Sequence, residues 1–311
     1  MESKILGLHH VTAIAGNAKR NYDFYTKVLG LRLVKRTVNF DDPGTYHFYF
    51  GDEVGSPGSI LTFFPWEGIQ KGRTGTGIAT DIGYSVPGES LAFWKDRLEK
   101  NRVNLTDTGK RFGEDYITFE DPDGLVLTLI IPTNADSRKG WETGDVNASV
   151  ATKGFHSITL TLRKAESTAK ILTDIFGYKL QGQEENRYRY ITDAVENAAI
   201  VDIIEAPHQR AAVNAGGTIH HIAFRVKDEE TQMAYREKIL KLGLNITPKI
   251  DRNYFYSLYF REPGGVLFEI ATDNPGFAID EHVTRLGNHL KLPAQYEGQR
   301  KEIEEKLPVL N

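Results

Sequence analysis

Four stretches of this chain repeat one another, and that repetition constrains the fold more than any other property of the sequence. They are Leu8-His9-His10-Val11-Thr12-Ala13, Thr80-Asp81-Ile82-Gly83-Tyr84, Phe155-His156-Ser157-Ile158-Thr159-Leu160 and Ile219-His220-His221-Ile222-Ala223-Phe224. Each alternates with period two, the pattern of a strand with one face buried. Their spacing of roughly 70 residues exceeds solenoid periods and fits small domains better than a stacked array. An amphipathic helix is predicted after each strand, over Asn17 to Leu29, Gly88 to Lys100, Lys164 to Phe176 and Glu229 to Leu242. Gly30, Gly177 and Gly243 follow three of them as C-terminal stops. Two copies close on a turn with a mechanism: Asp121-Pro122-Asp123-Gly124 before Leu125 to Ile130, and Glu262-Pro263-Gly264-Gly265 before Val266 to Ala271. Proline presets one dihedral there and glycine accepts the positive one.

The unit is strand, helix, then about three strands, so the reading is an α+β chain of four βαβββ modules. Their expected bounds are 7–66, 76–132, 153–206 and 217–273, and modules that pair would build two open eight-stranded barrel-like sheets. Residues 133–152 are polar and aperiodic, a predicted linker between 1–132 and 153–273. Residues 274–311 form a non-repeating tail, with helices expected over Asp280 to Leu290 and Gln295 to Leu307. That tail is expected to cover a sheet edge or a site entrance, and Phe277, His282 and Tyr296 are its candidates for shaping a pocket.

Composition narrows the chemistry. The 311 residues carry a formal charge of −4, with lysines and arginines dispersed, which disfavours a nucleic-acid stripe or a basic membrane-binding face. No apolar run approaches the roughly 18 residues of a membrane span, and Met1 to Gly7 is too short and polar for a secretory signal. The expectation is a cytoplasmic protein acting on a small uncharged or weakly acidic partner, with homo-oligomerisation left open. There is no cysteine. Thiolate nucleophiles, iron–sulfur clusters and cysteine-rich zinc sites are therefore excluded, and a metal would have to sit on His, Asp or Glu.

Aligning the modules shows where such residues recur. At the site-facing position of the first strand they supply His10, Asp81, His156 and His221; in the middle of the last strand they supply Thr62, Thr128, Asp202 and Glu269. Glu269 lies inside the apolar run Leu267-Phe268-Glu269-Ile270, where a carboxylate is costly unless paired or coordinated. Two imidazoles and one carboxylate on one face leave open coordination positions, the arrangement suited to iron(II) and dioxygen. Such a site keeps a net positive charge, so an anionic phenolate can join it. Pairing module one with four gives His10, His221 and Glu269. Pairing three with four gives His156, Asp202, His221 and Glu269, closer to a glyoxalase-like lyase or isomerase using zinc, nickel or manganese. Pairing two with three would leave a second site of Asp81, His156 and Asp202.

The sequence resembles the vicinal oxygen chelate superfamily of glyoxalases, bleomycin-resistance proteins and extradiol dioxygenases, and within it the para-hydroquinone ring-cleaving dioxygenases. The likeness runs through the His9-His10 and His220-His221 strands, Leu33-Val34-Lys35-Arg36-Thr37-Val38-Asn39-Phe40, Gly51-Asp52-Glu53 with Gly55-Ser56-Pro57-Gly58, and Tyr259-Phe260-Arg261-Glu262-Pro263-Gly264-Gly265 into Phe268-Glu269-Ile270-Ala271-Thr272-Asp273. It implies the triad His10, His221 and Glu269, hence modules one and four together. It also implies catalytic roles for His9, His220 and Tyr259 and substrate contacts for Thr12 and Arg252. The implied cofactor is Fe(II), with Mn(II), Zn(II) or Ni(II) as alternatives, and the implied partners are a hydroquinone-type aromatic and O2. Neighbouring strand residues face opposite sides, so one histidine of each pair is expected to reach the metal. The rival from another class is a non-enzymatic module that sequesters an aromatic compound, as the resistance proteins do.

Overall fold

The structure is a computed structural model describing residues 4–310; Met1 to Ser3 of the N-terminal segment and Asn311 lie outside it. Module one contributes β1 (Leu8–Ala15), α1 (Ala18–Asp23), β2 (Arg32–Val38), β3 (Tyr46–Gly51) and β4 (Ile60–Pro65). Module two contributes β5 (Ile78–Ser85), α2 (Leu91–Lys100), β6 (Leu105–Arg111), β7 (Glu114–Glu120) and β8 (Val126–Ile130). Module three contributes β9 (Phe155–Leu162), α3 (Glu166–Lys170), β10 (Lys179–Glu184), β11 (Arg187–Ile191) and β12 (Ile200–Glu205). Module four contributes β13 (Thr218–Val226), α4 (Glu229–Lys241), β14 (Ile250–Asp251), β15 (Phe255–Arg261) and β16 (Leu267–Pro275). After α1 and α3 the helix continues as one π turn, Phe24–Val28 and Ile171–Ile175. Gly30, Gly177 and Gly243 then take φ of 69°, 77° and 76°, a conformation that side chains with a Cβ resist.

Two eight-stranded sheets result, ordered β14-β15-β16-β13-β1-β4-β3-β2 and β10-β11-β12-β9-β5-β8-β7-β6. Module one therefore pairs with module four, and two with three; the alternative of three with four is overturned. In each sheet the first strands of the two modules run antiparallel at the centre, β1 against β13 and β5 against β9. Each sheet curls into a half-barrel whose apolar face packs against helices. The packing interlocks the two: Phe176, at the end of module three's helix, meets Phe224 and Phe268 of module four with ring centroids 4.7 and 6.1 Å apart. Burying each such ring contributes about 1.5–3 kcal/mol. Residues 133–152 hold no helix or strand and tie elements together instead; Arg138 donates to the Phe155 carbonyl at 2.8 Å, and Trp94 of α2 donates to the Val150 carbonyl at 2.9 Å.

The tail corrects one expectation. Asp280 to Leu290 is not an α-helix; it holds a single 3-10 turn, Val283–Arg285. Competing tertiary bonds explain this. Lys35, fully buried on β2, binds Asp280 and Glu281 at 2.6 and 2.5 Å, and the Lys291 amide donates to the Arg36 carbonyl at 2.9 Å. Gly287 sits at φ 78°, where any Cβ would lie 1.9 Å from the Leu33 carbonyl oxygen. The segment thus straps the β2 edge as a run of turns that reaches it through one bridge, Arg36 to Leu290. Farther on, α5 (Arg300–Lys306) follows the 3-10 stretch Ala294–Gln299, so the second tail helix is present but shorter than predicted. Among the described residues no helix is long and apolar enough to cross a membrane.

Candidate metal centre

Bulges in the central strands shape the site. Along β1 and β13, Leu8 faces Phe224 and His10 faces Ala223, so His9 is an extra residue; Thr12 faces His221 and Ala13 faces Ile219, so His220 is another. A bulge breaks strict alternation and re-aims side chains. Each doubled histidine consequently stays in contact with its neighbour, His9 Nδ1 lying 2.9 Å from His10 Nδ1 and His220 Nδ1 2.8 Å from His221 Nδ1. These contacts fix both outer rings so that their Nε2 atoms point at one carboxylate oxygen. Nε2 of His10 is 3.1 Å and Nε2 of His221 is 3.0 Å from Oε2 of Glu269. Glu269 reaches them from β16, where it stands beside Ala223.

The donor set fits a divalent metal. Glu269 is fully buried, its Oε1 accepts from the Ser257 hydroxyl, and its Oε2 accepts no hydrogen bond. Where His10 and His221 donate through Nδ1 to their neighbours, their Nε2 lone pairs converge with Oε2, which only a cation stabilises. Metal bonds of about 2.0–2.2 Å at right angles put neighbouring donor atoms about 3.0 Å apart, the separation seen on both edges. Burial alone would push the Glu269 carboxyl up; with no cation between them, Nε2 protons of the His10 and His221 imidazoles overcome it and hold the group well below the ordinary carboxylate range. Burial also pulls His221 down, with Glu269 opposing.

His10 and His221 form part of the wall of a cavity of about 510 Å³, with Glu269 buried behind them. His220, Thr12, Arg252 and Tyr259 also line it; His9 does not, lying behind His10 with its ring against Phe255 at 5.1 Å. Burial lowers His220 to about 4 and raises the Tyr259 phenol well above its usual value. Arg252 Nε donates to the Tyr259 oxygen at 3.3 Å, so the two present one polar corner. Of the tail residues, Phe277 packs against Tyr49 and Tyr254, each 5.1 Å away, and does not reach the cavity. His282 is occupied in capping Thr284. Tyr296 donates to the carbonyl of Phe40, a residue of the cavity rim, at 2.6 Å.

Sequence reasoning missed Ser257 and two lining residues of β3, His47 and Tyr49. The Tyr49 hydroxyl is 2.9 Å from His47 Nδ1, His47 Nε2 is 2.9 Å from Thr62 Oγ1, and Thr62 Oγ1 is 2.9 Å from Thr12 Oγ1. The signal was available: His47 and Tyr49 sit two apart in Tyr46-His47-Phe48-Tyr49-Phe50, hence on one face.

The second half-barrel corrects the module alignment. Its bulges fall at Thr80 and His156, since Ala79 faces Leu160, Asp81 faces Thr159, Gly83 faces Ser157 and Tyr84 faces Phe155. His156 therefore matches His9, and Ser157 holds the position assigned to His156. Asp202 stands beside Thr159 as Glu269 stands beside Ala223. Asp81, Ser157 and Asp202 thus occupy the places of His10, His221 and Glu269. Asp202 is bound by Arg189 at 2.9 and 3.1 Å and by Arg187 at 3.2 Å, while Asp81 accepts from Thr128 at 2.7 Å and lies 3.7 Å from Arg111. Among the described residues the His10, His221 and Glu269 group is the one cluster of three close metal-ligating side chains.

Comparison with known proteins places the chain in a family. The family described as Glyoxalase/Bleomycin resistance protein/Dioxygenase superfamily matches residues 7–129 and 154–270. A Bacillus subtilis (strain 168) protein named as a candidate ring-cleaving dioxygenase, MhqO, is 47% identical over 99% of this chain and 97% of its own length. The chlorohydroquinone/hydroquinone 1,2-dioxygenase of Sphingobium indicum is 35% identical over 97% of this chain and 96% of its own. A crystal structure of a candidate dioxygenase from Bacillus subtilis subsp. subtilis str. 168 superposes with a TM-score of 0.95 at 45% identity, covering 99% of this chain and 98% of that one. Paired half-barrels, doubled histidines on bulged central strands and full-length likeness lead to one assignment: the chain belongs to the glyoxalase/bleomycin resistance/dioxygenase superfamily, with relatives named as ring-cleaving dioxygenases.

Proposed function

We propose that the protein is an iron(II)-dependent dioxygenase that opens the ring of hydroquinone-type aromatics with O2. The observation that carries this reading is the convergence of His10 Nε2, His221 Nε2 and Glu269 Oε2 at a cavity of about 510 Å³ whose wall includes Phe40, Tyr49, Phe64 and Phe255. A one-ring substrate fits that space, its apolar body against aromatic walls and its oxygens within reach of polar side chains such as Thr12, His220, Arg252 and Tyr259. Iron(II) held by that set supplies the electron exchange between ring and dioxygen that an all-organic site lacks. His10, His221 and Glu269 hold the metal. His220, a lining imidazole whose Nδ1 accepts from His221, keeps its own proton on Nε2 and presents it as a donor to a ligand oxygen in the cavity. Arg252 and Tyr259 bind and orient a ring oxygen, the guanidinium by charge and the protonated phenol as a donor. The aromatic walls keep bulk water from the reacting ring.

The relative from Sphingobium indicum, named for chlorohydroquinone and hydroquinone, supports the substrate class. Anaerobic reconstitution with iron(II), then oxygen uptake on a panel of hydroquinones and catechols, tests the reading. Stoichiometric uptake with a hydroquinone, absent after loading with zinc(II), is expected; metal binding without uptake on any member would contradict it.

A further inference from the structure

The chain of side chains from Tyr49 to Thr12 has a direction that its burial decides. Tyr49 is 1% exposed, and its hydroxyl has one hydrogen-bond partner among the described residues, His47 Nδ1. A phenol is a donor, and a buried O–H without an acceptor costs about 1–3 kcal/mol. Tyr49 therefore donates to Nδ1, which leaves His47, a ring kept neutral by burial, with its proton on Nε2. Nε2–H then donates to Thr62 Oγ1, and the Thr62 hydrogen, turned away from His47, donates to Thr12 Oγ1. The hydrogen of Thr12 is the one left over. Thr12 pairs with His221 across the central strands and lines the cavity, so this hydrogen faces the space beside the ligand set.

We propose that Tyr49 and His47, acting through Thr62, are positioning residues that fix the Thr12 hydroxyl as a hydrogen-bond donor to the ligand oxygen bound beside His10, His221 and Glu269. The inference rests on the function proposed above for what that oxygen belongs to, but not for the direction of the chain. The opposite polarity would run from Thr12 to Thr62 to His47 Nε2 and would make Thr12 an acceptor. It would repel an anionic oxygen and strand the Tyr49 hydrogen.

Two measurements test this. In the full chain loaded with diamagnetic zinc(II) and labelled with 15N-histidine, long-range 15N–1H spectra identify the tautomer of His47, assigned by loss of its signals in His47→Gln. The Nε2–H form is expected in the unaltered protein, with a shift toward Nδ1–H in Tyr49→Phe. An Nδ1–H form at the outset, or no change in Tyr49→Phe, would overturn the proposal whatever reaction the protein performs. The second measurement is steady-state kinetics with iron(II). Glutamine can accept from Tyr49 and donate to Thr62 as histidine does, so His47→Gln should keep kcat within about threefold, whereas His47→Leu and Tyr49→Phe should lower it about tenfold with KM changed less than about twofold. Equal losses in His47→Gln and His47→Leu would mean that the ring acts through packing alone and would also overturn the proposal. If the unaltered protein shows no turnover, the proposed function fails while the tautomer result still stands or falls by itself.

Discussion

The two half-barrels share strand order, antiparallel central strands and bulges at matching positions, yet they solve the problem of a polar centre in opposite ways. In the half-barrel of modules one and four, Glu269 faces two imidazoles and leaves one oxygen without a hydrogen bond. In that of modules two and three, the corresponding Asp202 is held by two guanidiniums, and Arg189 bridges onward to Glu114 at 2.7 Å, which in turn binds His156 at 3.1 Å. One centre leaves a carboxylate oxygen open to a diffusible cation; the other carries its cations on the chain. Burying an ion pair compensates desolvation without necessarily adding stability, so the second cluster neutralises its buried carboxylates from within the chain. The fold supplies a place for chemistry, and the side chains at three register positions decide whether chemistry happens there.

The largest effect that would break this comparison is on the ligands. Glu269→Ala should abolish iron binding and lower turnover at least about a hundredfold, beyond the 10–100-fold typical of groups that merely support a metal ligand, while Asp202→Asn should leave iron content unchanged. Iron analysis and oxygen uptake on both variants check this. Next is stability: Arg189→Leu leaves Asp202 with Arg187 alone and Glu114 with His156 alone, and should cost about 3 kcal/mol in denaturant unfolding, again with iron content retained in the folded fraction. Third is a pH dependence. Burial would raise Glu114, but His156 and Arg189 outweigh it and hold the group at about 2 against an ordinary 4.5. A depressed carboxyl stabilises the fold above its unfolded value, so this contribution is full above pH 4.5 and disappears as pH falls toward about 2. Unfolding midpoints measured across that window should fall with acid, and Glu114→Gln should flatten the slope. The smallest effect is at the rim, where Tyr296→Phe removes one hydrogen bond to Phe40 worth about 1 kcal/mol and should raise KM by no more than about fivefold.

Much of this was legible in the sequence. Period-two strands, helix-stopping glycines and Pro-Gly turns specify the modules locally, and a carboxylate amid Leu267, Phe268 and Ile270 flags itself because it has no cheap place to go. The doubling of histidine at corresponding points of modules one and four made their pairing readable. What escaped was set by geometry with no local mark. A bulge adds one residue to a strand without altering its composition, so His156 was matched with His10 and His221 when it is a bulge residue like His9 and His220. The polar face of β3 was hidden because Tyr46, Phe48 and Phe50 dominate that run. The tail's helical pattern lost to long-range bonds from Lys35 and to the close approach of Gly287 to β2.

An anomalous difference map at the iron edge, from crystals grown anaerobically with iron(II), tests the central claim most directly. The account predicts one peak per chain, bonded to His10 Nε2, His221 Nε2 and Glu269, with nothing at Asp81, Ser157 and Asp202. A peak in the half-barrel of modules two and three, or none between the paired histidines, would contradict it.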